Sequence, residues 1–223
     1  MGRAQVSQDA RIASPNGSAP AGAVRTVTTY RVAMLSLEAG PVLCLVRALS
    51  ESAATLDIEM PFAAQDRASL EIGRELLSGA LIKIGERRAE LRSADPIDIE
   101  AILGDPSLLA SAGRRALPRI SIDARARIDI GTHRIPAQVR DISTDGVRIY
   151  TDELLSIGDE VRIVLKGLDR PLPGIVRWCS GDHAGVEFLQ RLPISRVNAW
   201  LAAAQSDSEP EDRPWSPPLI SKS

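Results

Sequence analysis

Apolar and polar residues alternate along much of the chain. From 120 to 130 every even position is apolar (Ile120, Ile122, Ala124, Ala126, Ile128, Ile130), and Ser121, Asp123, Arg125, Arg127 and Asp129 stand between them. A strand turns successive side chains to opposite faces, so this period of two predicts a long antiparallel strand with one buried face. The segment 131–134 (Gly-Thr-His-Arg) reads as a turn, after which Ile135, Ala137 and Val139 resume the alternation as a hairpin. Further strands are expected at 147–150, 161–165, 174–178 and 185–188, separated by turn signals at 157–159, 171–173 and 180–182. Short strands at this spacing predict a small barrel or sandwich. Beyond Pro193 the period changes: Ile194, Val197, Trp200, Leu201 and Ala204 recur at three- and four-residue steps, the mark of a closing amphipathic helix.

The first half repeats the second at an offset of 93 residues. Arg47, Ser50, Asp66, Leu70 and Ile72 fall opposite Arg140, Ser143, Asp159, Ile163 and Leu165, and Gly79 meets Gly174 after a two-residue shift. The expectation is an all-β chain of two tandem small antiparallel β-barrels, with a short C-terminal helix on the second. Its parts are a first barrel at 25–94, a partly helical linker at 95–112 and a second barrel with its helix at 113–205. Residues 1–24 and 206–223 are rich in small, polar and proline residues, and read as disordered tails. Trp215 and Leu219-Ile220 in the second tail form a short apolar motif of the kind partners capture.

Composition narrows the function mainly by exclusion. Of 223 residues, 27 are Lys or Arg and 29 Asp or Glu, a net charge of −2 that argues against nonspecific coating of DNA or RNA. Two Phe, three Trp and two Tyr are too few for a base-stacking RNA surface. The two cysteines, Cys44 and Cys179, lie in apolar runs far apart and read as buried thiols of a reducing, cytoplasmic compartment. No apolar run approaches the ~18 residues of a membrane span. The N-terminal segment lacks an apolar h-region, so no signal peptide is expected. His133 and His183 sit in glycine-containing turns without a second ligand at metal spacing, and no catalytic constellation is recognisable.

Against that background two segments stand out. One is arginine-dense, Arg114-Arg115-Ala-Leu-Pro-Arg119; the other is Asp141-Ile-Ser143-Thr-Asp-Gly146 at the end of the second strand of the hairpin. Together they resemble the PilZ domain, which carries an RxxxR segment before its first strand and a [D/N]xSxxG motif in its barrel. Residues 115–119 and 141–146 fill both patterns, and the resemblance covers about 113–205. It implies binding of the bacterial second messenger cyclic di-GMP through Arg114, Arg115, Arg119, Asp141, Ser143 and Gly146. The chemistry of these residues agrees. A guanidinium matches a phosphodiester or the O6/N7 edge of guanine bidentately, a carboxylate accepts from guanine N1 and N2, and a serine hydroxyl suits phosphate or base. Gly146 either admits close approach of the ligand or supplies a positive φ. By the same resemblance, an arginine at position 114 goes with capture of two stacked ligand molecules.

The first copy departs from the pattern. Ala48 replaces Asp141, Ala53 replaces Gly146, and Ala21 stands four residues before Arg25; only Ser50 is retained. It reads as a degenerate PilZ-like barrel that does not bind the nucleotide. The expected function is therefore a receptor that relays ligand binding, by interdomain rearrangement, to an unidentified protein partner. The alternative is a ligand-independent adaptor. Arg125, Arg127, Arg140 and Arg148 occupy outward strand positions, where any could touch the ligand, although a solvated barrel face is the expected explanation.

Overall fold

The computed structural model describes residues 26–104 and 117–206. The tails expected at either end lie outside the described residues, apart from Ser206. The first barrel is built of β1 (Val27–Leu37), β2 (Gly40–Leu49), β3 (Ala53–Asp57), β4 (Gln65–Ile72), β5 (Glu75–Lys83) and β6 (Arg88–Ser93). It closes in the order β1-β2-β3-β6-β5-β4, and every neighbouring pair is antiparallel. The second is built of β7 (Ile120–Ile130), β8 (His133–Ile142), β9 (Gly146–Tyr150), β10 (Glu160–Leu165), β11 (Leu172–Ser180) and β12 (His183–Phe188). Its order, β7-β8-β9-β12-β11-β10, is the same topology. Closure leaves neither barrel a free sheet edge.

The repeat is also more extensive than the sequence pattern suggests. Strands β1, β2 and β3 begin 93 residues before β7, β8 and β9; β6 begins 95 before β12. A helix continues the correspondence, since α1 (Ile99–Gly104) begins 95 residues before α2 (Ile194–Ser206). Segment 95–104, expected as part of a partly helical linker, thus carries in α1 a helix at the place α2 takes in the second copy. Ile97, Ile99 and Ile102 are buried in the first barrel's core, and the Ile97 N–H donates to Glu51 O (2.8 Å) as the Leu192 N–H donates to Thr144 O (2.8 Å) in the second. Asp98 caps α1 by accepting from the Ala101 N–H at 2.9 Å.

Each barrel interior is filled by the apolar half of the alternation: Leu35, Val46, Leu56, Leu70 and Leu91 in the first, Ile128, Val139, Val147, Ile149 and Ile163 in the second. Burial of each such side chain contributes about 1.5–3 kcal/mol. Several strand limits differ from expectation by one or two residues, and two of the differences have a clear cause. The β7–β8 turn is tighter, because Gly131 at φ 56° lets the chain reverse before His133. Strand β11 runs from Leu172 to Ser180 and shifts register between Val176 and Trp178. That shift breaks the apolar alternation, and Cys179 is exposed, contrary to its expected burial; Cys44 is buried and its thiol pKa is pushed up to about 12 by desolvation.

The barrels are joined through α2. Strand β3 pairs with β2 only as far as Leu45. Beyond its end, the Leu43 N–H donates to Asn198 Oδ1 (2.9 Å), and Asn198 Nδ2 donates to Leu43 O (2.8 Å). Asn198 is only 2% exposed. The amide side chain therefore takes the place of a neighbouring strand. At the start of α2 the Ser195 N–H donates to Glu59 Oε2 (3.1 Å), a carboxylate at the positive end of the helix. Leu43, Val32 and Met34 of the first barrel belong to the second barrel's apolar cluster. The two copies share one packed interface.

Candidate functional site

One transverse row of the second barrel collects the chemistry. Ser121 pairs with Asp141, Asp141 with Arg148, Arg148 with Gly185, and Gly185 with Trp178, across β7, β8, β9, β12 and β11. Cross-strand partners share a face, so these side chains lie side by side on the outer wall. Asp141 sits 7% exposed at its centre. Its Oδ1 accepts from Arg119 Nη1 at 2.7 Å, and its Oδ2 lies 2.7 Å from Arg148 Nε. One carboxylate thus holds two guanidiniums. The Arg148 Nε–H is not directed along its ion pair, and that nitrogen is buried without a hydrogen bond. Next along the row, Trp178 lays its indole over Gly185; a Cβ there would collide with the ring nitrogen. The glycine is the floor that lets a broad aromatic face lie flat beside Arg148.

The 143–146 turn is stitched from within. The Ser143 N–H donates to Gly146 O (2.9 Å), the Asp145 N–H donates to Ser143 Oγ (3.3 Å), and Ser143 Oγ donates to Gly146 O (3.3 Å). Ser143 is buried, so its hydroxyl shapes the turn. Ser50 of the first copy makes a similar set, accepting from the Ala53 N–H at 3.0 Å and donating to Ala53 O at 3.3 Å, although the acid and glycine are gone. Of the two expected explanations for Gly146, the structure removes the positive φ and supplies a further one. Its φ is not positive, and its missing Cβ makes room for the Val186 carbonyl oxygen of β12. Gly146→Ala is expected to force β9 and β12 apart and cost about 1–3 kcal/mol, read as a lower urea midpoint.

Of the six residues named from sequence, Asp141, Ser143 and Gly146 come together with Arg119, while Arg114 and Arg115 lie outside the described residues. Two further members, Arg148 and Trp178, come from register. Alternation alone groups Arg148 with Arg125, Arg127 and Arg140; the pairing of Ile142 with Val147 would have singled it out as the partner of Asp141. The other arginines behave differently. Arg140 pairs with Asp123 and lies over the Tyr150 ring at 5.3 Å. Arg127 donates to Asp129, and this hydrogen bond lowers the pKa of the Asp129 carboxyl. His183 packs edge-on against Tyr150, and no cluster of potential metal ligands exists among the described residues. No helix among them is long and apolar enough to cross a membrane.

Residues 113–202, which take in the second barrel and most of α2, match the model of the PilZ domain. No curated protein matches the chain. Similar solved structures include the Borreliella burgdorferi PlzA protein in complex with c-di-GMP (13% identity, TM-score 0.39, covering 78% of this chain and 88% of that one). The Bacillus subtilis inhibitor of motility, MotI/DgrA, aligns at 10% identity and TM-score 0.34, over 80% of this chain and 97% of its own. YcgR from Escherichia coli in complex with c-di-GMP aligns at 12% identity and TM-score 0.33, over 79% and 84%.

Proposed function

We propose that the second barrel is a receptor for cyclic di-GMP, and that the observation carrying this reading is Asp141 holding Arg119 and Arg148 beside the indole of Trp178. The ligand joins two guanines through two phosphodiesters. Guanidiniums fixed on a wall meet phosphate or the guanine O6/N7 edge without the rotamer entropy that free arginines lose. One bidentate guanine contact contributes about 1–3 kcal/mol of discrimination. The indole offers a stacking face. Arg114 and Arg115 add charge from the chain entering the barrel, and Arg114 accounts for a second stacked ligand molecule. Asp141 positions the arginines and accepts from guanine N1 or N2. Ser143 and Gly146 hold the turn that keeps Asp141 at the end of β8.

On this reading the protein is a cytoplasmic signalling receptor without catalytic activity, and it relays binding to a protein partner through a change in how the barrels sit. Any such change acts through α2, which carries every interdomain hydrogen bond described above. The first barrel, with Ala48 where the acid belongs, serves as scaffold or adaptor. The test is isothermal titration of the full chain with cyclic di-GMP. Binding is expected with one or two molecules per chain, lost in Arg119→Ala and unchanged in Ser50→Ala. Absence of both heat and a thermal shift at tens of micromolar ligand overturns the receptor reading.

A further inference from the structure

The first barrel shows what one of its faces binds. Helix α2 lies against β2 and the loop after β3: Asn198 on Leu43, Ser195 on Glu59, and Leu201 and Gln205 along Pro41, Val42 and Phe62. The 93-residue repeat locates the same face on the second barrel. There Pro136 stands for Leu43, Asp152 for Glu59, Leu154 for Pro61 and Ile157 for Ala64. Leu43 is covered, whereas Pro136 is exposed. Leu154 is 97% exposed and Ile157 70%. Their loop is nonetheless fixed: the Glu153 N–H donates to Thr151 Oγ1 (3.3 Å), Ser156 N–H to Asp159 Oδ2 (2.8 Å) and Gly158 N–H to Val176 O (2.8 Å). Two large apolar side chains held outward on an ordered loop mark an interaction site.

We propose that this face of the second barrel docks an amphipathic helix of a partner protein, with its N-terminus at Asp152. The charges match a helix dipole from end to end. Asp152 receives the Tyr150 hydroxyl on Oδ1 (2.6 Å), which leaves Oδ2 for a helix N–H, as Glu59 serves Ser195. At the other end, His133 and Arg134 occupy the places of Gly40 and Pro41, beside which Gln205 lies in the observed interface. An acidic residue in the last turn of the partner helix meets them. The centre differs in kind. Pro136 has no N–H, and its carbonyl already accepts from Thr151 Oγ1 (2.9 Å), so the helix residue at the place of Asn198 is apolar.

This extends the relay reading by giving the partner's surface, and its test contains no cyclic nucleotide, so either reading can fail alone. The probe is a fluorescein-labelled peptide of residues 193–206 carrying Asn198→Leu and Gln205→Glu, titrated against the full chain. Binding tighter than about 100 μM is expected. Amide NMR shifts should fall on residues 151–159, and Leu154→Asp with Ile157→Asp should weaken binding at least about tenfold without unfolding a surface loop. The peptide that retains Asn198 should bind more weakly. The proposal is overturned by no binding up to about 1 mM protein, by an unaltered affinity in the double variant, or by shifts confined to residues 60–63, where the peptide would be displacing α2.

Discussion

Asp141→Ala should reduce cyclic di-GMP affinity by about a hundredfold or more while the barrel stays folded. The carboxylate is the sole anion in contact with both Arg119 and Arg148 among the described ion pairs. Without it the two guanidiniums repel, swing into solvent and lose the fixed spacing that a planar ligand needs. Losing the guanine contact costs about 1–3 kcal/mol and freeing two arginine side chains about 0.5–1.5 kcal/mol each, and each 1.4 kcal/mol is tenfold in affinity. The fold should survive, because Asp141 faces the outer wall and the barrel interior is filled by the apolar cluster on the other face. Asp141→Asn separates charge from shape: it keeps an acceptor for Arg119 and should fall between wild type and alanine. Titration calorimetry with a circular-dichroism check of folding measures all three, and wild-type affinity in Asp141→Ala would sink the assigned role.

The second large effect is expected at the interdomain joint. Asn198→Leu leaves the Leu43 N–H and C=O buried with no partner. Each unsatisfied backbone group costs about 1–3 kcal/mol, so the substitution should destabilise the two-barrel arrangement by about 2–6 kcal/mol. Leucine is close to asparagine in size, so the loss is of hydrogen bonding more than of volume. Urea unfolding should change from one transition to two as the barrels uncouple. Hydrogen exchange supplies the local readout: the Leu43 amide should lose protection while that of Val46, inside the β2–β3 ladder, keeps it. Equal protection at Leu43 in variant and wild type would show that Asn198 does not hold the joint.

What the sequence reveals here is what depends on alternation and on fixed spacing. Strand β7 shows its buried face in every second residue, and the 93-residue offset predicts a second barrel of the same kind. What it hides depends on register. Arg148 and Trp178 look like any outward residues until β8, β9, β12 and β11 are laid edge to edge. The first copy's helix is legible only as part of a partly helical linker, not as the counterpart of α2, for another reason. Ile97 and Ile99 are two apart, as in a strand, and six helical residues give too short a window for the 3.6 period to declare itself. Ser143 carries a second use that the motif does not announce: beside its expected place at the ligand, its hydroxyl holds the turn. Its counterpart Ser50, conserved within the chain where the acid and glycine are not, holds that information in plain view.

The joint between the barrels is heterologous, a helix of one copy on the sheet of another, and such contacts build open filaments when every copy offers both halves. A second chain's α2 arriving at the second barrel would bring Asn198 against Pro136, where no N–H exists and the carbonyl is already held by Thr151. Its buried amide would find neither partner, at a cost of about 1–3 kcal/mol for each group left unpaired. One proline therefore sets the second barrel's face apart from the first: it disfavours α2 of another copy there, although the two barrels share one topology.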